Sequence, residues 1–380
     1  MDTNSPPLNC VLLIDKQKYS HTMLDFDLVP QLQDGQILLR IELFSVTANN
    51  ATYVALGKSY QYWDFFPWRD SNLGIMPVWG FATVESSKNE SITDGERIFG
   101  YFPCSRYCVL QPGAIRDSHF IVSRPGIPTD RIVYNTYMRC HHDPTYNVSS
   151  EALISVFWPL WTTSYFLADM LTIHRCWDAK QIVITSASAK TAFCLADCIR
   201  SNYVVQTDSE RPQLIGLTSP ANLESTRSLN LYDIVLTYDQ IDTILKRDTV
   251  VADVAGNDVL LARLRDQLQS NLKQTVLVGM SHYSQNTHKG FSAGAASNTV
   301  SFFAPGTLES KAAWIQNRYV QIGKKAVEEK RVSAWKSSLK KMPGWLDLDH
   351  HRGPVASDSV FRKIISGKGD PKVGYVVSML

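Results

Sequence analysis

A chain of 380 residues, 44% hydrophobic and 19% charged, is long enough to bury a large core and to form about two domains, and its composition is neither disordered nor fibrous. Its 38 basic and 36 acidic residues leave a formal net charge of +2, which excludes a global field for nucleic acid or anionic lipid and points to a small-molecule partner. No apolar run approaches the roughly 20 residues that cross a bilayer, and the opening MDTNSPPLNC has no basic segment followed by an apolar one, so the reading is a cytoplasmic protein.

From residue 10 to about 150 the chain alternates short β-rich runs (Ile37–Phe44, Phe81–Glu85, Arg97–Phe102, Tyr107–Leu110) with turn signals at Asp34-Gly35 and Asp94-Gly95, which predicts a small strand-dominated domain. From about 151 the pattern changes to apolar strands alternating with helical stretches, the signature of a parallel sheet flanked by helices. The predicted strands are Gln181–Thr185, Gln213–Leu217, Ile234–Thr237, Val250–Val254, Thr275–Gly279 and Val300–Phe303. A basic, tryptophan-containing segment (Lys324 to Trp345) follows, and the chain ends in a strand-like Gly374-Tyr-Val-Val-Ser-Met. The stretch Ile199 to Gln213 is longer than a helix-to-strand connection requires and reads as a surface excursion.

The cysteines (Cys10, Cys104, Cys108, Cys140, Cys176, Cys194, Cys198) are odd in number and lack framework spacing, which suits a reducing compartment. Cys104, Cys108, His141 and His142 do not have the spacing of a structural zinc site, and Cys194 and Cys198 fall one helical turn apart on a core face, so no metal is expected. The sequons at Asn50, Asn89 and Asn147 carry no weight in a cytosolic chain.

The chemistry begins at Val183-Ile-Thr-Ser-Ala-Ser-Ala-Lys-Thr-Ala192, a strand, turn and helix of dinucleotide-binding type without a glycine in the turn. Ala187, Ser188 and Ala189 are small enough for close approach to a pyrophosphate. Ser186, Ser188 and Thr191 add hydroxyls, and Lys190 adds charge beside a helix N-terminus. An ordinary N-capped helix is the alternative reading of this text. After the second strand, Gly216-Leu-Thr-Ser-Pro-Ala-Asn222 holds the donors Thr218, Ser219 and Asn222 and no acid. NAD-type folds place a carboxylate there for the ribose 2′-hydroxyl. Its absence favours NADP(H), because a carboxylate would repel a 2′-phosphate. Gly256, Gly279 and Ser281 close later strands on the side where ligands sit in such sheets, and His282 follows them.

The phrases Thr47-Ala-Asn-Asn-Ala-Thr-Tyr53, Pro77-Val-Trp-Gly-Phe-Ala82, Gly95-Glu-Arg-Ile-Phe-Gly-Tyr-Phe-Pro103, Ser186-Ala-Ser-Ala-Lys-Thr-Ala192, Gly216 to Asn222 and Tyr232-Asp-Ile-Val-Leu-Thr-Tyr238 resemble DUF2855 proteins. These are a subfamily of the medium-chain dehydrogenase/reductase superfamily, in its zinc-independent, quinone-oxidoreductase-like branch. The resemblance spans essentially the whole chain. It implies an α/β protein: a GroES-like β-rich catalytic domain at 1–150, completed by residues 326–380, and a Rossmann doubly wound domain at 151–325 that binds NADPH. The zinc-dependent members carry a Cys near position 48 and Gly-His-Glu near 80. Here Ala48 and Trp79-Gly80-Phe81 stand instead, so the implied chemistry is direct hydride transfer without metal.

By the same resemblance Tyr238 and Ser219 lie near the adenosine 2′-phosphate, and Asn49 or Asn50 falls close to the asparagine that members place beside the nicotinamide. Tyr60, in Gly57-Lys-Ser-Tyr60, matches a tyrosine proton donor of enoyl-thioester reductases, with Tyr53 and Tyr62 as rivals. The aromatic run Tyr60 to Trp68 and the segment Trp158-Pro-Leu-Trp-Thr-Thr-Ser164 would border the cleft, which suits an apolar, aromatic or polyketide-like substrate as well as it suits core packing. The expected activity is reduction of an activated C=C or C=O bond, in keeping with secondary metabolism. The alternatives are a redox-neutral lyase or isomerase on the same scaffold, or a catalytically silent NADPH-binding protein. Dimers and tetramers are frequent in the superfamily, which implies a homodimer joined at Val300-Ser-Phe-Phe-Ala304.

Overall fold

The computed structural model describes residues 8–128, 131–143, 146–205, 211–279, 298–302 and 314–380. The chain forms two compact units, one running up to Trp158 and resuming at Asp347–Leu380, the other comprising Pro159–Leu346.

In its first passage through the first unit the chain lays down β1 (Leu8–Asp15), β2 (Thr22–Leu28), β3 (Ile37–Val46), β4 (Leu73–Ile75), β5 (Pro77–Ser87), β6 (Arg97–Pro103), β7 (Tyr107–Leu110), β8 (Pro112–Ile115), β9 (His119–Val122) and β10 (Thr136–Arg139). Their mutual pairings are all antiparallel. The turns at Asp34-Gly35 and Asp94-Gly95 place their glycines at φ +77° and +84°, the left-handed region that side chains disfavour. Helix α1 (Ala48–Ala55) starts on a capping box: Thr47 Oγ1 accepts from Asn49 N, and Asn50 Oδ1 accepts from Thr47 N at 2.7 Å. Asn50 Nδ2 also donates to the Pro77 carbonyl at 2.9 Å, so that side chain is buried and spent. A one-turn helix, α2 (Ile132–Asn135), precedes β10, and α3 (Glu151–Ile173) carries the chain out. The first residue of α3, Glu151, is clamped by Arg97 through Nε at 2.8 Å and Nη2 at 2.5 Å, while Arg97 also bonds Glu42. This bidentate pair and the packing of Trp158 on Phe99 hold the opening turns of α3 in the first unit. The division therefore falls at Trp158 rather than at the expected 150.

The second unit is a parallel sheet of β11 (Gln181–Ile184), β12 (Gln213–Thr218), β13 (Ile234–Thr237), β14 (Thr249–Asp253), β15 (Leu272–Leu277) and β16 (Thr299–Ser301), in the order β13-β12-β11-β14-β15-β16. Helices α4 (Lys190–Val205), α5 (Leu223–Ser228) and α6 (Asp258–Leu268) form the crossovers between its strands. A core of Val183, Leu217, Val251, Leu261 and Leu264 joins the sheet to α6. The strand reading holds, with ends shifted by a few residues where the sheet continues: β15 begins at Leu272 and stops at Leu277 instead of running to Gly279. The excursion at 199–213 is described only in part, since 206–210 lie outside the described residues, as do Phe303, Ala304, Ser281 and His282.

Two further helices, α7 (Trp314–Ile322) and α8 (Lys324–Lys341), belong to the second unit. The return to the first unit comes at Asp347, later than the expected 326. The reason lies in α8. Its Trp335 is buried edge-on against Trp161 at 5.0 Å, and Ser338 Oγ and Lys341 Nζ donate to the buried Asp197 of α4 at 2.8 and 2.7 Å. The returning segment then forms β17 (Asp347–Arg352), α9 (Pro354–Ile365) and β18 (Val373–Ser378). Strand β18 pairs antiparallel with β3 and parallel with β17, giving the order β17-β18-β3-β5-β6-β10-β9-β8 with β7 also on β3. No helix of the described residues is long and apolar enough to cross a membrane.

Because Trp335 fixes α8 by burial, Trp335→Ala is expected to cost about 3–5 kcal/mol of stability, read as a lowered denaturant midpoint with Trp335→Phe losing much less.

Candidate functional site

In the second unit the chain leaves β11 through Thr185, Ser186, Ala187, Ser188 and Ala189 and enters α4 at Lys190. Ser186 sits at φ +51°, where glycine is usual. Tyr238, just beyond β13, hydrogen-bonds Ser186, and burial pushes its phenol up to about 12. Ala187 N donates to the Leu217 carbonyl at 2.8 Å, and Tyr232 Oη donates to the Ala187 carbonyl at 2.9 Å. A Cβ at Gly216 would stand 2.9 Å from Ala187 Cβ and 3.0 Å from the Tyr232 ring. The glycine that close approach requires is therefore on the neighbouring strand, not in the turn.

Around this turn the polar groups converge. Ser188 Oγ lies 3.2 Å from Thr218 Oγ1 and 3.3 Å from Asn222 Nδ2. Ser219, half-buried, opens the 3₁₀ turn Pro220–Asn222, its carbonyl accepting from Asn222 N at 3.0 Å. Lys190 and Thr191 are the first two residues of α4, where backbone N–H groups and the positive dipole end favour an anion. Arg263 of α6, which no sequence pattern marks, donates from Nη1 to the Tyr238 carbonyl at 2.9 Å and brings a cation beside this edge.

The strand order reverses between β11 and β14, the place where doubly wound sheets open a ligand crevice. There Thr185 Oγ1 donates to Asp253 Oδ1 at 2.6 Å and accepts from Val254 N and Ala255 N at 2.9 and 3.0 Å. Asp253 accepts from Gly256 N at 3.2 Å, and its carbonyl accepts from Val278 N and Gly279 N. Gly279 lies so close that a Cβ there would be 2.8 Å from the Val254 carbonyl oxygen. Gly256 and Gly279 thus line the reversal point through their backbones. Burial pushes the Asp253 carboxyl up to about 6 against the hydrogen bonds from Thr185, Gly256 and Ala255. Sequence reasoning passed over Asp253 and Thr185; the signal was an acid inside the apolar run Val250–Gly256.

The first unit brings Asn49, Tyr53 and Tyr60 into one aromatic cluster. Tyr53 is buried, and its hydroxyl accepts from Trp79 Nε1 at 3.0 Å and from the Asn49 side chain. Its ring lies 4.6 Å from Tyr62, which stacks on Tyr60 at 6.3 Å and shares a 3.2 Å hydroxyl contact with Tyr134. Burial raises the phenols of Tyr53, Tyr62, Tyr101 and Tyr134 far above their usual range, to about 12 for Tyr62. Tyr60 is only half-buried, with the Arg131 guanidinium 5.2 Å from its ring centre. Among the described residues no group of three or more His, Cys, Asp or Glu side chains is placed to hold a metal ion.

A β-rich GroES-like unit and a Rossmann unit with this crevice define an α/β protein of the medium-chain dehydrogenase/reductase fold. Solved structures agree. CurA from Vibrio vulnificus, in complex with NADPH, has a TM-score of 0.60 at 12% identity over 98% of this chain and 99% of its own. A putative NADPH:quinone reductase from Bacillus thuringiensis scores 0.54 at 10% identity, and the CurK enoyl reductase 0.52 at 14%, each over 98% of this chain and 99% of the other. The chain itself belongs to the DUF2855 family of proteins of unknown function, whose family model matches residues 44–370. No curated protein sequence matches it.

The protonated form of Asp253 is the one the fold favours, so stability is greatest below the unfolded pKa and declines as pH rises through about 6. The displacement from 3.8 to about 6 corresponds to roughly 3 kcal/mol. Asp253→Asn keeps the acceptor and cannot ionise. Urea unfolding should show the variant gaining on wild type by up to that amount between pH 4 and pH 7, and a constant difference would show that Asp253 does not titrate there.

Proposed function

We propose that this chain is a zinc-independent, NADPH-dependent reductase of an activated C=C or C=O bond in a small, apolar or aromatic substrate. The observation that carries the reading is the acid-free donor set of Ser188, Thr218 and Asn222 against the first turn of α4. The residues fit the nucleotide. Gly216 lets Ala187 and the Tyr232 ring close on its strand and so sets the turn, and the hydroxyl, amide and ammonium groups along it suit phosphate oxygens. In this reading Ser186, Ser188, Lys190 and Thr191 hold the pyrophosphate. Thr218, Ser219, Asn222 and Tyr238 hold the adenosine ribose and its 2′-phosphate, and Gly256 and Gly279 admit the cofactor past the strand ends. That CurA was crystallised with NADPH supports the assignment.

NADPH, when bound, supplies the hydride. What falls to the protein is orientation, exclusion of water and a proton for the carbanion or alkoxide that results. Tyr60 is assigned as proton donor: a phenol is acidic enough to protonate an enolate, and Tyr60 is half-buried where Tyr53 and Tyr62 are buried among aromatic rings. Asn49 and Tyr53 are positioning residues, bonded to each other in the same cluster. A homodimer joined at the β16 edge belongs to the same reading, since β16 ends the sheet order among the described residues.

Fluorescence titration of the purified protein should give tight NADPH binding and much weaker NADH binding, with Ser219→Asp weakening NADPH by at least about tenfold through like-charge repulsion and leaving NADH nearly unchanged. Absence of binding by both nucleotides would overturn the assignment. Once a substrate is found by following NADPH oxidation, Tyr60→Phe should lower kcat by roughly 10²–10⁴-fold with NADPH affinity intact. Binding without turnover of any activated alkene or ketone would point instead to a silent nucleotide-binding protein.

A further inference from the structure

Within the first unit lies a cavity of ≈ 330 Å³ whose lining includes none of Asn49, Tyr53 and Tyr60, the residues assigned to the reaction, and whose size is within the range of small-molecule sites. Phe65, Phe66, Trp68 and Tyr107 line it together with the Arg124 side chain. Asn9 fixes the wall at Tyr107 by accepting from its backbone N at 2.9 Å and donating to its carbonyl at 3.2 Å, so this part of the cavity is formed in advance.

Arg124 gives the cavity its chemistry. One guanidinium nitrogen donates to Asn135 Oδ1 and the other to Tyr137 Oη at 2.8 Å. Tyr137 in turn donates its proton to the Tyr101 carbonyl at 2.6 Å, which fixes the phenol oxygen as an acceptor. The guanidinium lies 5.0 Å from the ring centre of Phe66, 5.7 Å from Phe65 and 5.8 Å from Tyr137. Its partners among the described residues are thus a neutral amide, a neutral phenol and aromatic faces, with no carboxylate at ion-pair distance. A guanidinium has five N–H donors and a fork that matches a carboxylate. Here two donors are engaged in holding it still, and among the described residues no carboxylate compensates the cation, in a half-apolar setting where a counter-charge is worth more than in water.

We propose that this cavity binds a small planar carboxylate, an aromatic or conjugated acid, whose ring lies among Phe65, Phe66 and Trp68 and whose carboxylate pairs with Arg124. Preorganisation by Asn9, Asn135 and Tyr137 spares the ordering cost of binding. Neither NADPH nor turnover enters the argument, so the proposal stands or falls apart from the reductase reading.

The test is isothermal titration of the full-length protein with 2-naphthoate, benzoate and the uncharged 2-naphthamide. Saturable 1:1 binding of 2-naphthoate is expected, at least tenfold tighter than the amide, with benzoate weaker than naphthoate because it covers less of the aromatic wall. Arg124→Gln should remove the preference for acid over amide. Arg124→Lys, which keeps the charge and loses the fork, should fall between. Because Arg124 also holds Asn135 and Tyr137, a second variant, Val109→Phe, adds bulk to the cavity wall while leaving Arg124 and its partners unmutated and should abolish naphthoate binding in a protein of unchanged circular dichroism. Equal affinity for acid and amide, no binding of either, or naphthoate binding that survives Val109→Phe would overturn the proposal.

Discussion

The hydrogen bond from Thr185 Oγ1 to Asp253 Oδ1 is the constraint on which the second unit is arranged. A doubly wound sheet must send the chain to opposite faces from its two central strands, which opens a crevice and removes the connection that would otherwise hold the strand ends together. Thr185 closes that gap with three hydrogen bonds from one hydroxyl: one to the acid ending β14, two from the backbone that follows it. Each is worth about 1 kcal/mol net, yet stranding any buried partner costs about 1–3 kcal/mol. The network is therefore kept whole or lost whole. Ser186 follows directly, so the position of the turn is set by the residue before it.

This arrangement explains how the turn dispenses with glycine. A left-handed serine costs roughly 1–2 kcal/mol, and the contacts that offset it are local: Tyr238 on Ser186, Tyr232 on the Ala187 carbonyl, Leu217 on the Ala187 amide. A glycine turn is permissive and loses more entropy when ordered. A Ser-Ala-Ser-Ala turn braced from two neighbouring strands presents its hydroxyls in one geometry, which suits a site whose donors must be fixed before the ligand arrives.

Much of this was legible in the text. The period of the apolar residues placed the parallel strands, and the missing acid after β12 drew attention to Thr218, Ser219 and Asn222, of which the structure brings Thr218 and Asn222 beside Ser188. What escaped reading was what distance in sequence conceals. Gly216 makes room for Ala187 from nearly thirty residues away, and Thr185 and Asp253 meet across 68 positions. Neither relation leaves a local pattern. The assignment of α8 failed for a similar reason. Its basic text is assigned with residues 326–380 to the first domain, while its place is decided by the buried Trp335 and by Asp197 on a helix more than a hundred residues earlier.

The first unit shows how differently the chain treats its cations. Arg97 is matched by Glu151 and Glu42, Arg139 by Glu96, and Arg69 by Asp25 and Asp27. In these pairs both charges have partners, and the gain is a fastening of strand to helix, strand to strand or loop to strand. Arg124 is held as firmly, but by an amide and a phenol. Had fastening been its only role, a carboxylate at Asn135, differing by one polar group, would have done it with more energy. A neutral partner fixes the fork without an ion pair among the described residues, which is the arrangement that a ligand's anion would complete.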